Sequence, residues 1–507
     1  MSAPRFARCL RRLPNSTSSF RRPARTALAT VGLRVSVAIA GATTAAHAQG
    51  GPPAPLQGAP TMTAHDSLAR DLLRELLAIN STVSGGQMSQ ATQAMAARLR
   101  GAGYAEGDVQ LAGPNAAHQN LVATLHGRDG TAKPVLLMAH VDVVEALRSD
   151  WTMDPFALNE RDGYYYGRGT TDNKGGAAIV IANMIRWKRE GFVPSRDVIA
   201  ILTTDEETSQ EEGIHWLLTN IPRLKDAEYA LNTDAGGLKE GDGKSRPRFF
   251  VQSSEKLYQT YTLDVTNRGG HSSIPRPDNA IYALARALAR LETYRFPVMY
   301  NEVTRTSFSR SATVESGQVA ADLRALAGGA TSGPAVERAF RDPSLNGNLR
   351  TTCVATMLSG GHAENALPQK ATATVNCRIF PGVSAEEVQA TLQRVVADTV
   401  VHVTRALGSV PSPASPLRSD VMGVVERTAN EMWPRAVTIP IMENGATDGL
   451  YLRNLNVPVY GVSGPLYVQG DDRAHGRDER VSIRNFNASR EFWYRMVKGL
   501  LGDATRM

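Results

Sequence analysis

The chain has 507 residues, of which 42% are hydrophobic, so it is long enough for two domains that each bury a core. Its formal net charge of +7 comes from the N-terminus, because residues 1–48 contain eight arginines and no acidic residue. The rest of the chain has 48 basic and 49 acidic residues, a near balance that argues against nucleic acid as a partner.

The basic N-terminal stretch leads into a short apolar segment that ends in Ala46-His47-Ala48, a small-x-small pattern that signal peptidase accepts. We interpret residues 1–48 as a signal peptide and residues 49–62 as a flexible linker. The apolar segment is shorter than the ~20 residues of a membrane-spanning helix, so no stable membrane insertion is expected after cleavage. We therefore expect a periplasmic or secreted protein. A downstream start codon and a cytosolic enzyme are the alternative.

From residue 63 to residue 256, helical periodicity alternates with short apolar runs, which is typical of a sheet with helices on both faces. Two of the apolar runs, residues 135–138 and 198–202, are continuously apolar, which indicates strands buried on both faces. The pattern predicts helices at 64–77 and 89–101 and strands at 134–139, 196–203 and 227–232.

The pattern changes near residue 257 to a βαββαβ order, which predicts a small α+β domain over residues 257–410. Its long stretch 302–348 is rich in Ala, Gly and Ser, and its effect on any site stays open. The α/β pattern resumes over residues 411–507, so the small domain is inserted into the first one. The remaining predicted elements are strands at 259–265, 349–358, 370–379, 401–404, 436–440 and 457–462, with helices at 279–294, 384–398 and 420–429.

Two cysteines remain after removal of the leader. Cys353 and Cys377 flank a predicted hairpin in the inserted domain. A disulfide is compatible with an exported protein, and two buried free thiols on neighbouring strands are equally compatible with the sequence.

Side chains that bind metals follow the buried strands of the first domain and recur in a late loop. The carboxyl ends of strands in an open α/β sheet form the crevice where ligands bind. Each motif alone is common by chance, but two histidines and several carboxylates in one crevice supply the nitrogen and oxygen ligands that zinc takes. A pair of zinc ions about 3.5–4 Å apart also needs one bridging carboxylate. The candidates are His140, Asp142, Asp172, Glu206, Glu207, Asp234 and His475.

These motifs together resemble the binuclear zinc metallopeptidase family of glutamate carboxypeptidase, aminoacylase, succinyl-diaminopimelate desuccinylase and carboxypeptidase S, over about residues 65–500. The resemblance implies an α/β catalytic domain with a mixed sheet and flanking helices, plus an inserted α+β lid or dimerisation domain. It also implies a homodimer and two Zn²⁺ ions per subunit. Co²⁺ or Mn²⁺ are alternatives, because carboxylate-rich binuclear sites accept them as well.

The resemblance assigns the metal ligands residue by residue. It implies that His140 and Asp234 bind one ion and that Glu207 and His475 bind the other. Asp172 is then the carboxylate that bridges both ions.

The resemblance also assigns the catalytic groups next to these ligands. Glu206 is the expected general base, which takes a proton from the attacking water and gives it to the leaving amine. Asp142 is expected to accept the other ring N–H of His140 and so fix the imidazole tautomer. The peptide bond between Asp172 and Asn173 is a candidate for the cis geometry found in the family.

Three residues of the inserted domain match groups that bind substrate in the family. His271, in Gly269-Gly270-His271-Ser272-Ser273, resembles the histidine that reaches a neighbouring active site of the dimer and stabilises the oxyanion. Asn365 and Arg378 resemble the groups that hold the carboxylate and backbone of the substrate. Arginine suits this task because its planar guanidinium pairs with both carboxylate oxygens.

The resemblance thus implies a hydrolase, a zinc metallopeptidase of carboxypeptidase or dipeptidase type, that cleaves the amide bond next to a free carboxylate of a small peptide. An N-acyl-amino-acid amidohydrolase of aminoacylase type is the alternative, with an N-acyl amino acid as substrate. A non-catalytic binding relative is a remote third interpretation, because such relatives lose metal ligands and every expected ligand is present here.

Overall fold

The computed structural model describes residues 62–208, 213–241, 245–406, 410–468 and 470–502. The predicted signal peptide and all of the predicted linker except Met62 lie outside the described residues. The helices are α1 (Ala64–Leu77), α2 (Met88–Gly101), α3 (Lys174–Arg189), α4 (Ile214–Asn220), α5 (Ala280–Thr293), α6 (Glu302–Ser311), α7 (Gly317–Ala327), α8 (Pro334–Arg341), α9 (Pro343–Leu349), α10 (Ala385–Val396), α11 (Ser419–Met432), α12 (Gly449–Asn454) and α13 (Ile483–Leu501).

The strands of the described residues belong to one large sheet, one small sheet and two short ribbons. They are β1 (Val109–Ala112), β2 (Asn120–Leu125), β3 (Val135–His140), β4 (Asn159–Arg161), β5 (Tyr164–Tyr166), β6 (Val198–Thr203), β7 (Tyr229–Asn232), β8 (Gly237–Lys239), β9 (Arg248–Glu255), β10 (Leu257–Thr266), β11 (Gly270–His271), β12 (Thr352–Gly360), β13 (Ala366–Leu367), β14 (Lys370–Ile379), β15 (Val401–Arg405), β16 (Val437–Glu443), β17 (Val459–Gly461) and β18 (Arg480–Ser482).

The large sheet is mixed and has nine strands, in the order β1-β2-β6-β3-β7-β17-β9-β16, with β8 paired to β9. Its central strands β6, β3 and β7 run parallel and are buried at every residue. Alternate residues of β3 enter two different cores: Leu137 packs with α1, α3 and α13, whereas Leu136 packs with α4 and α12. The continuous apolar runs therefore do reflect burial on both faces.

The small sheet has four antiparallel strands in the order β12-β14-β10-β15. Helices α5 and α10 pack against it, and β10 alternates buried and more exposed residues along its length. The predicted fold class, an α/β region together with an α+β region built on a separate sheet, is confirmed. The domain boundaries at residues 257 and 410 stay a prediction.

Residues 302–349 form helices that the sequence did not predict. Helix α6 packs on β16, the edge strand of the large sheet, and a separate apolar cluster joins α6 to α7, α8 and α9. Arg310 Nη1 donates to the carbonyl of Thr438 on β16 (2.7 Å), and Arg248 pairs with Glu315 (2.7 Å). This stretch of the predicted inserted domain is therefore attached to the large sheet.

Cys353 and Cys377 are cross-strand partners on β12 and β14 and form a disulfide. The sequence alone had left open whether these two cysteines form a disulfide or remain free thiols. Among the described helices, none is both long and apolar enough to cross a membrane.

The chain passes from the large sheet to the small one at a single residue, Lys256, because β9 ends at Glu255 and β10 begins at Leu257. The Glu255 carboxylate is fully buried and pairs with Arg453 Nη1 (2.8 Å). It also accepts hydrogen bonds from Ser412 (2.8 Å), which lies on the returning chain, and from Thr447 (3.0 Å). One carboxylate thus connects both passages between the sheets.

Candidate metal centre

The predicted metal ligands come from five segments that meet at the carboxyl edge of the large sheet. His140 is the last residue of β3, and Asp234 lies two residues after β7. Glu207 follows β6, Asp172 lies just before α3, and His475 lies in the loop before β18. Because β3, β6 and β7 are parallel, their carboxyl ends lie at the same edge of the sheet.

The first group of ligand atoms surrounds His140, whose side chain is buried. Its Nε2 lies 3.0 Å from Asp172 Oδ1 and 3.6 Å from Asp234 Oδ1. The second group surrounds His475, whose Nε2 lies 3.2 Å from Asp172 Oδ2 and 3.1 Å from Glu207 Oε1. Asp172 therefore directs one oxygen to each group, and the atoms of each group lie within 4.8 Å of one another.

The charges in these groups fit cations. Burial, together with the neighbouring Asp172 and Glu207, raises the pKa of Asp234 to about 7. Hydrogen bonds to Asp172 and Glu207 raise the pKa of His475 to about 10. The three carboxylates repel one another at this short distance, and bound cations would remove that repulsion. The nitrogen and oxygen donors present are those that zinc takes. The residues therefore fit a pair of metal ions.

Asp142 is buried beside His140 but contacts it mainly through the backbone. His140 Nδ1 lies 3.0 Å from the Asp142 carbonyl oxygen and 3.5 Å from its Oδ1. Asp142 Oδ2 accepts the backbone N–H of Glu207 (2.8 Å), so the carboxylate also fixes the loop that carries Glu207. The peptide bond between Asp172 and Asn173 is cis, as predicted.

Glu479 was not singled out from the sequence, and it is fully buried behind Asp172. Its carboxylate pairs with Arg168 Nη1 (2.8 Å) and accepts the backbone N–H groups of Gly169 (2.9 Å), Thr171 (2.8 Å) and Asp172 (3.1 Å). Arg168 also donates to the carbonyl of Gly476 (2.8 Å), next to His475. Glu479 thus holds the loop of Asp172 against the loop of His475.

A cleft of about 1030 Å³ opens over both groups, and Glu206 lines it. Burial, followed by the Asp234 and Asp448 carboxylates, raises the pKa of Glu206 well above its ordinary value. Arg378 lines the same cleft, as does Lys256, which the sequence did not single out.

His271 ends β11, and Asn365 directly precedes β13, the strand paired with β11; the N–H of Ser272 donates to the Asn365 carbonyl (3.0 Å). Both side chains are exposed, and neither is among the described residues that line the cleft. The structure therefore places Arg378 in the same cleft as the candidate metal ligands, and His271 and Asn365 are not among the described residues that line it.

The chain matches Peptidase family M20/M25/M40 over residues 136–499, more than half of its length. The N-fatty-acyl-amino acid synthase/hydrolase of Homo sapiens is 30% identical over 386 residues, 74% of this chain and 76% of the relative. The protein named probable carboxypeptidase S-like 2 of Dictyostelium discoideum is 30% identical over 398 residues, 75% of this chain and 74% of the relative. An M20 family metallo-carboxypeptidase of Sulfolobus solfataricus shares the fold, with a TM-score of 0.64, 16% identity, and coverage of 87% of this chain and 99% of that one.

The chain belongs to the M20 peptidase family. It is a metal-dependent hydrolase of peptidase or amidohydrolase type, as the resemblance of its motifs had implied.

Exchange of Glu479 for Gln is expected to lower metal affinity by about 10–100-fold, the usual cost of removing a group that orients ligands. The amide cannot accept all the N–H groups that now meet the carboxylate, so Asp172 loses its fixed position. Metal affinity is measured by chelator competition. Glu431→Gln, at an exposed position on α11, is the control. Wild-type affinity in Glu479→Gln would contradict this role.

Proposed function

We propose that the protein hydrolyses an amide bond next to a free carboxylate, with two metal ions and Glu206 as the general base. The observation that carries the proposal is one cleft that holds both ligand groups and a pair of cationic side chains. The ligand groups provide for activation of water, and the cations provide for recognition of the carboxylate.

The cationic pair consists of Lys256 and Arg378. Lys256 is fully buried, its Nζ donates to the carbonyl of Arg350 (2.7 Å), and burial, with a smaller effect of Arg378, lowers its pKa to about 7. Arg378 lies over the ring of Tyr258 (4.6 Å) and donates to the carbonyl of Asn444 (3.2 Å). No ion pair joins either cation to a described carboxylate. A substrate carboxylate would supply the missing counter-charge.

For the metal ions, we propose zinc, with Co²⁺ or Mn²⁺ as alternatives. His140 and Asp234 would hold one ion, Glu207 and His475 the other, and Asp172 both. When bound, such ions lower the pKa of water toward neutrality and polarise the scissile carbonyl.

Glu206 would take the proton of the attacking water and deliver it to the leaving amine. Its position in the cleft wall and the raised pKa support this role, because the protonated form is then stable enough to act as the acid of the second step. Asp448 contributes to the raised pKa and is itself held by a hydrogen bond from Thr203 Oγ1 (2.6 Å).

The acyl side of the substrate could be a peptide or an acyl chain. We propose a carboxypeptidase or dipeptidase, in line with the carboxypeptidase S-like relative. The second candidate is an N-acyl-amino-acid amidohydrolase. The relative named N-fatty-acyl-amino acid synthase/hydrolase and the apolar side chains of Phe250, Ile441 and Met442 in the cleft favour it.

We also propose export, on two grounds. The N-terminal pattern is that of a signal peptide, and Cys353 and Cys377 form a disulfide, a bond that persists in oxidising compartments. A mature N-terminus at Gln49, determined by sequencing of the purified protein, is the expected result. An intact leader on the active protein would contradict it.

A homodimer is proposed as well. Strand β12 is an edge of the small sheet and exposes Val354 (60%), Met357 (69%) and Leu358 (68%). A second copy paired at this edge would cover these side chains, and the exposed His271 could then reach a neighbouring cleft. Sedimentation is expected to give twice the chain mass, and Leu358→Asp is expected to give monomers. A monomeric wild type would exclude this interface.

Exchange of Glu206 for Gln is expected to lower turnover by at least about 100-fold, because general acid and base catalysis is lost. Metal content should stay near that of the wild type, since Glu206 belongs to neither ligand group. Turnover is measured with dipeptides and with N-acetyl and long-chain N-acyl amino acids. A wild-type rate in Glu206→Gln would contradict the assignment, and wild-type activity confined to the acyl substrates would exclude the peptidase.

Exchange of Lys256 for Met is expected to raise the KM for carboxylate substrates by about tenfold at pH 6, since a charge-assisted hydrogen bond is lost. Because a bound carboxylate stabilises the charged ammonium, wild-type affinity is full below the Lys256 pKa of about 7 and falls as the pH rises through it. KM is measured against pH, with Lys133→Met at an exposed position as the control. An unchanged KM profile in Lys256→Met would contradict the role.

A further inference from the structure

Helix α9 brings two polar side chains into the cleft. Ser344 and Asn348 both line it. They are four residues apart, so they lie on the same face of the helix. Asn348 Nδ2 donates to the carbonyl of Ser344 (3.0 Å), which leaves the Asn348 Oδ1 and the Ser344 hydroxyl for other partners. Helix α9 thus presents an acceptor and a hydroxyl to the cleft.

The same helix lies directly beside the cationic pair. Gly347 packs so closely on Asn444 that a Cβ at this position would lie 2.8 Å from Asn444 Oδ1. The carbonyl of Asn444 in turn accepts the hydrogen bond from Arg378 (3.2 Å). At the end of α9, the carbonyl of Arg350 accepts the hydrogen bond from Lys256 (2.7 Å). Each cation is therefore connected to α9 through one intervening residue: Arg378 through Asn444, and Lys256 through Arg350.

The position of α9 restricts which part of a substrate it can contact. In an amino acid with a free carboxylate, the carboxylate and the side chain are attached to the same carbon atom. A wall that borders the proposed carboxylate site is therefore within reach of the side chain of that amino acid. The acyl group is attached through the amide nitrogen and would extend toward the candidate metal ligands instead.

We propose that α9 forms the subsite for the side chain of the amino acid whose carboxylate Lys256 and Arg378 bind, and that it selects polar side chains with a hydrogen-bond donor. This inference rests on the proposed function and adds its specificity. Ser344 and Asn348 are the specificity-determining residues. A site built to hydrogen-bond a substrate group discriminates against analogues that lack the group, because its own polar atoms then lose their partner.

The test compares the wild type with the double variant Ser344→Ala/Asn348→Leu on two sets of substrates. The first set joins either an acetyl or a glycyl group to one of four amino acids, Gln, Ser, Leu or Phe, so that it contains substrates of both candidate functions. The second set keeps Gln and varies the acyl group in length. The ratio of kcat/KM for Gln to that for Leu is expected to fall at least about tenfold in the double variant, mainly through KM. The ratios within the acyl set are expected to stay within about twofold.

Two further variants separate the outcomes. Ser344→Ala alone, at an exposed position, is expected to lower the same ratio by about threefold with an unchanged unfolding temperature, so the inference is tested even if the double variant is unstable. Ser332→Ala, at an exposed position before α8, is the control and should leave every ratio unchanged. An active wild type whose Gln-to-Leu ratio does not change in the variants overturns this inference alone. A wild type that hydrolyses neither set overturns the proposed function and this inference together.

Discussion

The site depends on the crowding of carboxylates at the carboxyl edge of the large sheet. Strands β3, β6 and β7 are buried on both faces and run parallel, so the polar residues that follow them meet at one edge of the sheet. Burial and mutual repulsion raise the pKa of Asp234 to about 7, a condition that bound cations relieve. The packing of buried parallel strands thus also brings together the carboxylates that favour metal binding.

The accuracy of such a centre comes from residues that do not belong to either ligand group. Glu479 collects an arginine and three backbone N–H groups around one buried carboxylate, and these come from the loop that carries Asp172. Strand β18, which follows Glu479, pairs with β5, which precedes that loop. The loop of Asp172 and the loop of His475, about 300 residues apart in the sequence, are therefore held against each other. As a consequence, His475 lies next to Asp172.

The sequence predicted His140 and Asp234 because each comes shortly after a predicted strand, residues 134–139 and 227–232, a signal that is local. The helices of residues 302–349 were missed because their Ala, Gly and Ser content is a weak signal, and their partner is β16, far away in the chain. Glu479 and Lys256 were missed for a related reason. Each is a single charged residue without a motif, and its burial results only from tertiary packing.

The passage between the sheets shows how recognition and architecture are connected. Glu255 and Lys256 are neighbours, so their side chains leave the chain in different directions: Glu255 binds Arg453 on the large sheet's side, and Lys256 binds the carbonyl of Arg350 after α9. Loss of one partner of a buried ion pair costs about 3–5 kcal/mol, so Glu255 holds this passage firmly. Lys256 is therefore fixed beside the cleft, and the end of α9 is fixed beside Lys256. The same two residues thus connect the small sheet, the proposed carboxylate site and the wall formed by α9.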